Sequence, residues 1–166
     1  MYIHSKKAFG LVLLLAALAS CTKQKGFGYK SDNRPAVPVT LQNAADYRPD
    51  PTVTVSLAGP GTITITLSIP STSGRTIKEI THVAASTTYT QIQGTTGFYN
   101  TAPIAGSGTT VTFTTSLTEY FVKVPVSKSN PAAKANVELA NRFYFLVTLD
   151  DNSTIVVDPV RVLVLA

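Results

Sequence analysis

Residues 62–69 alternate polar and apolar side chains without interruption, reading Thr-Ile-Thr-Ile-Thr-Leu-Ser-Ile. Successive side chains of a β-strand point to opposite faces, so the four apolar residues would all face the same side. Gly59-Pro60-Gly61 marks a turn before the segment, and Pro70 ends it. The pattern predicts a half-buried β-strand, and the many β-branched residues elsewhere favour an all-β fold.

The remaining strands are predicted by the same alternation or by β-branched and aromatic runs. They are 52–57, 76–84, 109–117, 142–149, 154–157 and 160–165. The spacing in 76–84 also fits a helical face, but its shortness favours a strand with a bulge, and residues 89–92 would continue it or pair with it. Residues 120–126 are predicted as a short edge strand, because Pro125 cannot donate to a ladder.

Two further segments complete the prediction for the folded region. Asn130-Pro131 predicts a helix start, with Asn as the cap and Pro in the first turn; the alternative is an irregular crossover. Asp150-Asp151-Asn152-Ser153 predicts a turn that closes a C-terminal hairpin. About seven short strands across residues 51–166 predict an antiparallel β-sandwich with one core between its inner faces. The chain has no Trp and one Cys, which excludes an antibody-type domain.

The N-terminal residues 1–20 have the layout of a secretory signal peptide. Lys6 and Lys7 form a basic start, and an uncharged run rich in Leu and Ala follows from Ala8 to Ala19. A membrane-spanning helix needs about 20 apolar residues, and this run is shorter. The segment therefore predicts export rather than a transmembrane anchor.

The stretch Leu18-Ala19-Ser20-Cys21 resembles the lipobox of bacterial lipoproteins. The resemblance implies cleavage between Ser20 and Cys21 and attachment of lipid, including acyl chains such as palmitate, to the Cys21 sulfur. Several acyl chains would hold the protein on a membrane, because one chain alone binds weakly. The expected location is the bacterial cell envelope, at the outer membrane, with the periplasmic or surface face left open. The alternative is an ordinary signal peptide with an incidental cysteine.

Residues 21–50 predict the lipidated N-terminus and a flexible tether, since Gly, Pro, Lys, Asn and Asp dominate them. The formal net charge of +5 is concentrated in the leader and the tether. From residue 50 onward, seven basic residues balance seven acidic ones, so that part of the chain is neutral. A basic face for nucleic acid is therefore not expected.

The C-terminal sequence NVELANRFYFLVTLDDNSTIVVDPVRVLVLA, together with TVTFTTSLTEY and the lipobox, resembles uncharacterised lipoproteins of Bacteroidota. These contain an immunoglobulin-like domain. The resemblance covers most of the chain and implies an immunoglobulin-like sandwich and an envelope location, but no activity.

The sequence offers few groups for catalysis or metal binding. His82 is the one histidine outside the leader, no second Cys or His completes a zinc site, and no Ser lies in a nucleophile elbow. We therefore expect no enzyme activity, no cofactor and no metal. Asp150, Asp151, Asn152 and Asp158 leave a weak calcium site as an alternative to a plain hairpin turn.

The candidate ligand site is a long loop over residues 93–108 and the residues beside it. Tyr89, Phe98, Tyr99 and Asn100 lie there, and exposed rings on loops can stack on sugars or anchor a protein. The alternative is that Phe98 and Tyr99 tuck under the loop and cap the core. The leading functional hypothesis is a non-enzymatic, lipid-anchored interaction or scaffolding module with an envelope protein as partner. A surface glycan-binding lipoprotein is the second hypothesis, and a hydrolase is the third.

Overall fold

The computed structural model describes residues 35–47 and 49–166, which belong to one compact unit, Pro35–Ala166. The predicted signal peptide, the lipidation site at Cys21 and the first part of the tether lie outside the described residues. Residues 40–46 already pair with later strands, so the folded part includes residues upstream of position 51.

The described chain is mostly β-strand, with one short α-helix and two 3-10 turns. The strands are β1 (Thr40–Leu41), β2 (Thr52–Ser56), β3 (Thr62–Ser68), β4 (Ile77–Ser86), β5 (Ile104–Ala105), β6 (Thr110–Ser116), β7 (Val137–Glu138), β8 (Arg142–Leu149), β9 (Thr154–Val156) and β10 (Arg161–Leu165). The helix α1 is Leu117–Lys123, and the 3-10 turns are Ser71–Ser73 and Tyr89–Gln93. The all-β prediction is confirmed at this level.

The strands form three sheets within the described residues, in the orders β1-β3-β6, β2-β10-β7 and β5-β4-β8-β9. All pairs are antiparallel except β2 with β10, which run parallel in register from Thr52↔Arg161 to Ser56↔Leu165. This parallel pair joins two segments far apart in the sequence, and local alternation carries no information about such a partner.

The alternation in β3 is confirmed by burial. Ile63, Ile65 and Leu67 are fully buried and Ile69 nearly so, while Thr62 and Thr64 on the other face are exposed. The inward residues of β6 are Val111, Phe113 and Thr115, as its own alternation predicts. The two strands therefore line one side of the core.

The predicted C-terminal hairpin and the predicted bulge in β4 are also confirmed. β8 spans the predicted residues Arg142–Leu149 and turns back at 150–153 into β9. β4 pairs with β8 with register shifts between Ile77 and Glu79 and between Ile80 and His82. After Pro159, Val160 still exchanges two backbone hydrogen bonds with Phe143 of β8, and β10 then joins β2 and β7.

The prediction that residues 89–92 continue β4 or pair with it is wrong. They form the 3-10 turn Tyr89–Gln93, which folds back so that Ile92 is fully buried. Ile92 packs in a small cluster with Ala84 and Tyr144 on one side of the β4–β8 sheet. Burial of the Ile92 side chain holds the turn against the sheet. The sequence did not predict this turn, because one apolar residue alone shows neither a helical nor a strand periodicity.

The edge strand predicted at 120–126 is wrong, because the helix α1 occupies Leu117–Lys123. Ser116 caps the helix, since its Oγ accepts the Glu119 backbone N–H at 3.1 Å. A Ser followed three residues later by Glu is a known helix-start signal, and it was present in the sequence as Ser116-Leu-Thr-Glu119. Tyr120 is the fully buried residue that holds the helix against the core.

The helix predicted from Asn130 is also wrong, and the alternative of an irregular crossover holds. Asn130 is buried, and its amide serves tertiary contacts instead of capping a helix. Its Nδ2 donates to the Val124 carbonyl at 2.8 Å, and its Oδ1 accepts the Tyr120 hydroxyl at 2.9 Å. These bonds tie the crossover to the end of α1 and leave no side-chain acceptor for a new helix.

The core lies where β3 and β6 meet β8, with contributions from β2, β4 and β10. The rings of Phe113 and Phe145 are 5.6 Å apart between centroids, and Phe143 contacts Phe113 at 5.5 Å. Edge-to-face and tilted aromatic contacts of this kind add to the apolar burial that stabilises the fold.

Candidate functional site

The sequence predicts a ligand site on a loop over residues 93–108 and the residues beside it. In the structure, the long loop is the connection 87–103 between β4 and β5, because residues 104–105 form β5. The loop begins with the 3-10 turn, where the Tyr89 side chain is 58% exposed. The turn is closed by Gln91, whose Nε2 donates to the Gly97 carbonyl. Tyr89 therefore lies on an ordered 3-10 turn, and its ring is accessible to solvent.

Phe98 lies half-buried against His82 of β4. The two rings are stacked with centroids 3.6 Å apart and planes 12° from parallel. The Nδ1 atom of His82 is buried and has no hydrogen-bond partner in the described part of the chain. His82 thus serves as a packing surface for Phe98, and one face of the Phe98 ring is covered.

Tyr99 is a core residue. It is 5% exposed, and its ring meets Phe113 and Phe143 edge-on at 5.7 and 5.4 Å. Its hydroxyl shares a 2.7 Å hydrogen bond with the Thr115 hydroxyl on the inward face of β6. The ring is not available for stacking on a ligand in this conformation.

Burial raises the pKa of the Tyr99 phenol to about 12, because the charged form would lose its hydration. The hydrogen bond with Thr115 opposes this rise, and the nearby Glu119 carboxylate adds to it. Lys123 also stands over the ring, with Nζ 4.6 Å from the centroid and 2.6 Å from the Tyr99 carbonyl oxygen. A tyrosine in this setting is a neutral structural group at physiological pH.

Asn100 completes the edge of β4. Its Oδ1 accepts the Val83 N–H at 2.7 Å, and its Nδ2 donates to the carbonyls of Thr81 and Ala102 at 3.1 and 2.9 Å. The amide therefore takes the place of a neighbouring strand, four residues before β5 begins at Ile104. Both N–H groups of the Asn100 amide and one acceptor site of its oxygen are thus engaged within the protein.

The four predicted loop residues thus have different surroundings. Tyr89 and Phe98 keep accessible surface, whereas Tyr99 and Asn100 hold the loop to β4 and β6. This division follows from contacts with residues distant in the sequence, chiefly Thr115 and Val83.

A cavity of about 320 Å³ opens beside the long loop, between it, the end of α1 and residues 124–130. The side chains that line it include Gln91, Phe98, Lys123, Ser127, Ser129 and Asn141. The single cation among them, Lys123, forms an ion pair with Glu119 at 3.2 Å. The cavity is consequently polar but close to neutral, which suits an uncharged polar ligand better than an anion.

The acidic turn after β8 is occupied by protein contacts. Arg75 Nε lies 3.0 Å from Asp150 Oδ1, and the Arg75 guanidinium also pairs with Asp151. Asn152 Oδ1 accepts Lys78 Nζ at 2.8 Å. Hydrogen bonds from the Ser153 hydroxyl and N–H lower the pKa of the Asp151 carboxyl, with Arg75 adding to the effect. Three of the four residues of the alternative calcium site, Asp150, Asp151 and Asn152, therefore already accept hydrogen bonds from other groups of the chain.

Two general features of the described residues concern metal binding and membrane spans. Among them, no group of three or more His, Cys, Asp and Glu side chains is placed to hold a metal ion. No helix in the same part of the chain is long and apolar enough to cross a membrane.

The site also contains residues that the sequence did not assign to it. Thr115, Lys123 and Asn130 make the contacts that shape the cavity and bury Tyr99. The capping pair Ser116 and Glu119 was the one available signal, because it would have turned residues 117–123 into a helix and placed Lys123 one turn beyond Glu119.

Comparison of the chain with known protein families, with curated proteins and with solved structures finds no match in any of the three.

Proposed function

We propose that this protein is a lipid-anchored protein of the bacterial envelope whose β-rich domain acts as a non-enzymatic interaction or scaffolding module. The observation that carries the proposal is the stretch Leu18-Ala19-Ser20-Cys21 at the end of an apolar run. A cysteine sulfur is the side-chain nucleophile best suited to accept a lipid. The tether that follows would separate the folded domain from the membrane surface.

The domain is proposed to be an immunoglobulin-like sandwich in which the β1-β3-β6 sheet packs on the β5-β4-β8-β9 sheet. Ring contacts between Phe113 of one sheet and Phe143 and Phe145 of the other support this arrangement. The parallel pairing of β10 with β2 would then close one side of the sandwich. Such a rigid body presents loops and edges for recognition.

A binding role agrees with the way the acid–base groups are used in the described residues. Glu119 pairs with Lys123 and accepts the Thr115 hydroxyl at 2.9 Å, and His82 stacks on Phe98. Asp150 and Asp151 are engaged by Arg75. Each of these groups has a structural partner, and the Thr115 hydroxyl that Glu119 accepts is itself buried against the Tyr99 hydroxyl.

The anchoring proposal is tested by the mass and location of the mature protein in a diderm bacterial host. The wild-type chain should begin at Cys21, carry added acyl mass and sediment with membranes. The Cys21→Ser variant should lack that mass and remain unanchored. A mature wild-type chain with an unmodified Cys21 sulfur would contradict the proposal.

The second candidate, a surface glycan-binding protein, is favoured by the neutral polar cavity beside the long loop. Ser129 lines this cavity and is exposed, so Ser129→Ala should weaken retention on a glycan array without lowering the melting temperature. Thr114→Ala, on the exposed face of β6, is the matched control and should bind normally. Equal retention of both variants, or none for the wild type, would count against glycan binding at this cavity.

A further inference from the structure

The outer edge of β6 carries backbone groups that no other strand of the described residues pairs with. Two flanking hydrogen bonds fix the phase of the β3–β6 ladder: Leu117 N–H to Gly61 carbonyl at 2.9 Å, and Ile69 N–H to Thr109 carbonyl at 3.0 Å. In an antiparallel pair, alternate residues direct their N–H and C=O groups toward the partner and away from it. The odd-numbered residues of β6 therefore face β3, and Thr112 and Thr114 point theirs outward.

These outward groups have no backbone or side-chain partner among the described residues. At the neighbouring position, Thr110 exchanges both of its outward bonds with Ser107, at 2.8 and 3.1 Å. Ser107 thus occupies the place of a next strand at one end, and α1 begins at Leu117 at the other. Between them lies a window at Thr112 and Thr114, which we call the free edge.

The free edge lacks the usual protection of an exposed strand. Proteins blunt such edges with charges, prolines, bulges or very short strands. β6 has seven residues, contains no charged residue or proline, and pairs with β3 without a register shift. The other edge strands are shorter: β1, β5 and β7 have two residues each, and β9 has three. β2 has five residues, and its first residue, Thr52, is bridged to Asp46.

We propose that the free edge binds a short, uncharged, extended segment of another protein as an added antiparallel strand. The N–H and C=O groups of Thr112 and Thr114 require a complementary backbone, which an extended peptide supplies. The exposed Thr side chains that flank the edge favour neutral, β-branched neighbours over charged ones. The window between Ser107 and α1 limits the added strand to about three to five residues.

The same boundaries disfavour a second copy of this chain as the occupant. An antiparallel β6 from a second copy that paired at Thr112 and Thr114 would bring its Ser116 opposite Thr110. Ser107 already fills that position. A short peptide segment has no such flanking residues and fits between the two obstacles.

This inference rests on the proposed function as an interaction module and names the surface and the chemistry of the partner. The probe is a five-residue synthetic peptide, acetyl-Thr-Val-Thr-Val-Thr-amide, added to the ¹⁵N-labelled full chain purified in detergent. The amide signals of Thr112 and Thr114 should shift and gain protection from hydrogen exchange. A control peptide that is N-methylated at every central amide cannot pair and should leave them unchanged.

A matched pair of variants tests the edge itself. Thr114→Pro removes an outward N–H from the free edge and should weaken binding of the peptide about tenfold or more. Thr64→Pro changes the cross-strand partner of Thr114 on β3 and leaves the free edge intact, so binding should persist. The methylated peptide keeps the test decisive if either variant fails to fold.

Absence of any shift up to the solubility limit of the peptide, or equal shifts with the methylated peptide, would overturn the inference. Concentration-dependent shifts at Thr112 and Thr114 without peptide, together with a dimer mass, would also overturn it by placing a second copy on the edge. The lipid mass of the same sample reports separately on the anchoring proposal. A lipidated chain that ignores the peptide would refute the inference alone.

Discussion

β3 and β6 are neighbouring strands with nearly the same side-chain pattern, but their outer edges differ. Both place apolar residues inward and threonines outward, and Thr64 and Thr66 stand opposite Thr114 and Thr112. On the far side of β3, Asn43 and Gln42 cover the edge: Asn43 bonds to the Thr64 carbonyl and the Thr66 N–H at 2.8 and 2.9 Å. Gln42 N–H adds a 2.8 Å bond to the Thr66 carbonyl.

The corresponding groups of Thr112 and Thr114 on β6 have no such partner in the described chain. The contrast shows that the alternation of side chains determines which face of a strand is buried. It does not determine whether the backbone N–H and C=O groups at the strand's outer edge are paired. An edge is covered or left open by segments that arrive from elsewhere in the chain.

The largest expected effect comes from the faces that the two strands share. Ile65→Ala and Phe113→Ala each remove a buried side chain and should lower the free energy of unfolding by about 2–5 kcal/mol. Thr64→Ala and Thr114→Ala on the opposite face should stay within about 0.5 kcal/mol of wild type. Urea denaturation measures all four. If Ile65→Ala and Phe113→Ala lowered the free energy of unfolding by very different amounts, the inward faces of β3 and β6 would not contribute equally to the core.

A second prediction concerns the inward side of β6, where Thr115 bonds to Tyr99. The folded-state pKa of Tyr99, about 12, lies above its ordinary value of 10.0. Since the native state holds the proton more tightly, its contribution is complete below pH 10 and is lost as the pH rises toward 12. The loss should amount to about 2–3 kcal/mol in the free energy of unfolding.

Tyr99→Phe should abolish that part of the pH dependence and cost about 1 kcal/mol at neutral pH, because one buried hydrogen bond is lost. Denaturation at several pH values, with absorbance titration of tyrosinate, checks both statements. A wild-type stability unchanged between pH 10 and 12 would show that Tyr99 is not buried as described. The inward side chains of β3 are Ile63, Ile65 and Leu67, which have no polar atoms, so the effect belongs to β6.

A third prediction addresses the edges directly with proline. Thr66→Pro removes the N–H that bonds to Asn43, whereas Thr112→Pro removes an N–H without a partner. Both variants lose the same Thr66–Thr112 hydroxyl contact, at 3.2 Å. Thr66→Pro should therefore be the less stable of the two by about 1 kcal/mol. Thermal denaturation of the pair tests it, and a reversed order would mean that the outer edge of β6 is covered.

The smallest expected effect comes from removing the Asn43 side chain that hydrogen-bonds to the outer edge of β3. Asn43→Ala deletes two exposed hydrogen bonds and should cost about 1 kcal/mol or less. Hydrogen exchange at the Thr66 amide should speed up and approach the rate at Thr112. Asn43→Asp keeps the acceptor for Thr66 and serves as control. Unchanged exchange in Asn43→Ala would show that the side chain does not protect this edge.

The sequence predicted the strands well where one face is buried along their whole length. The alternation in 62–69 and 109–117 and the aromatic run 142–149 carry this information locally. The edge strand predicted at 120–126 was wrong because that prediction relied on β-branched and aromatic content. The helix-capping signal at Ser116 and Glu119 was given no weight. The helix predicted from Asn130 was wrong because the Asn130 side chain hydrogen-bonds to the Tyr120 hydroxyl and the Val124 carbonyl. No local sequence pattern predicts a tertiary hydrogen bond of this kind.

The loop that carries the candidate site was predicted in part. The long loop was located by its Gly, Asn and Pro residues, and the alternative that Tyr99 packs against the core agrees with its 5% exposure. The cavity was not predicted, because α1, residues 124–130 and the loop meet there only after folding.

By itself, the sequence determined which side chains of β3, β6 and β8 face the core, because a strand's period of two is a local property. It also determined the lipobox-like stretch at Cys21, which depends on consecutive residues alone. Only the tertiary structure decided that β10 runs parallel to β2, that Asn43 covers β3 and that Thr112 and Thr114 remain open. Backbone donors and acceptors are the same in every residue, so their partners depend on which distant segments are brought alongside.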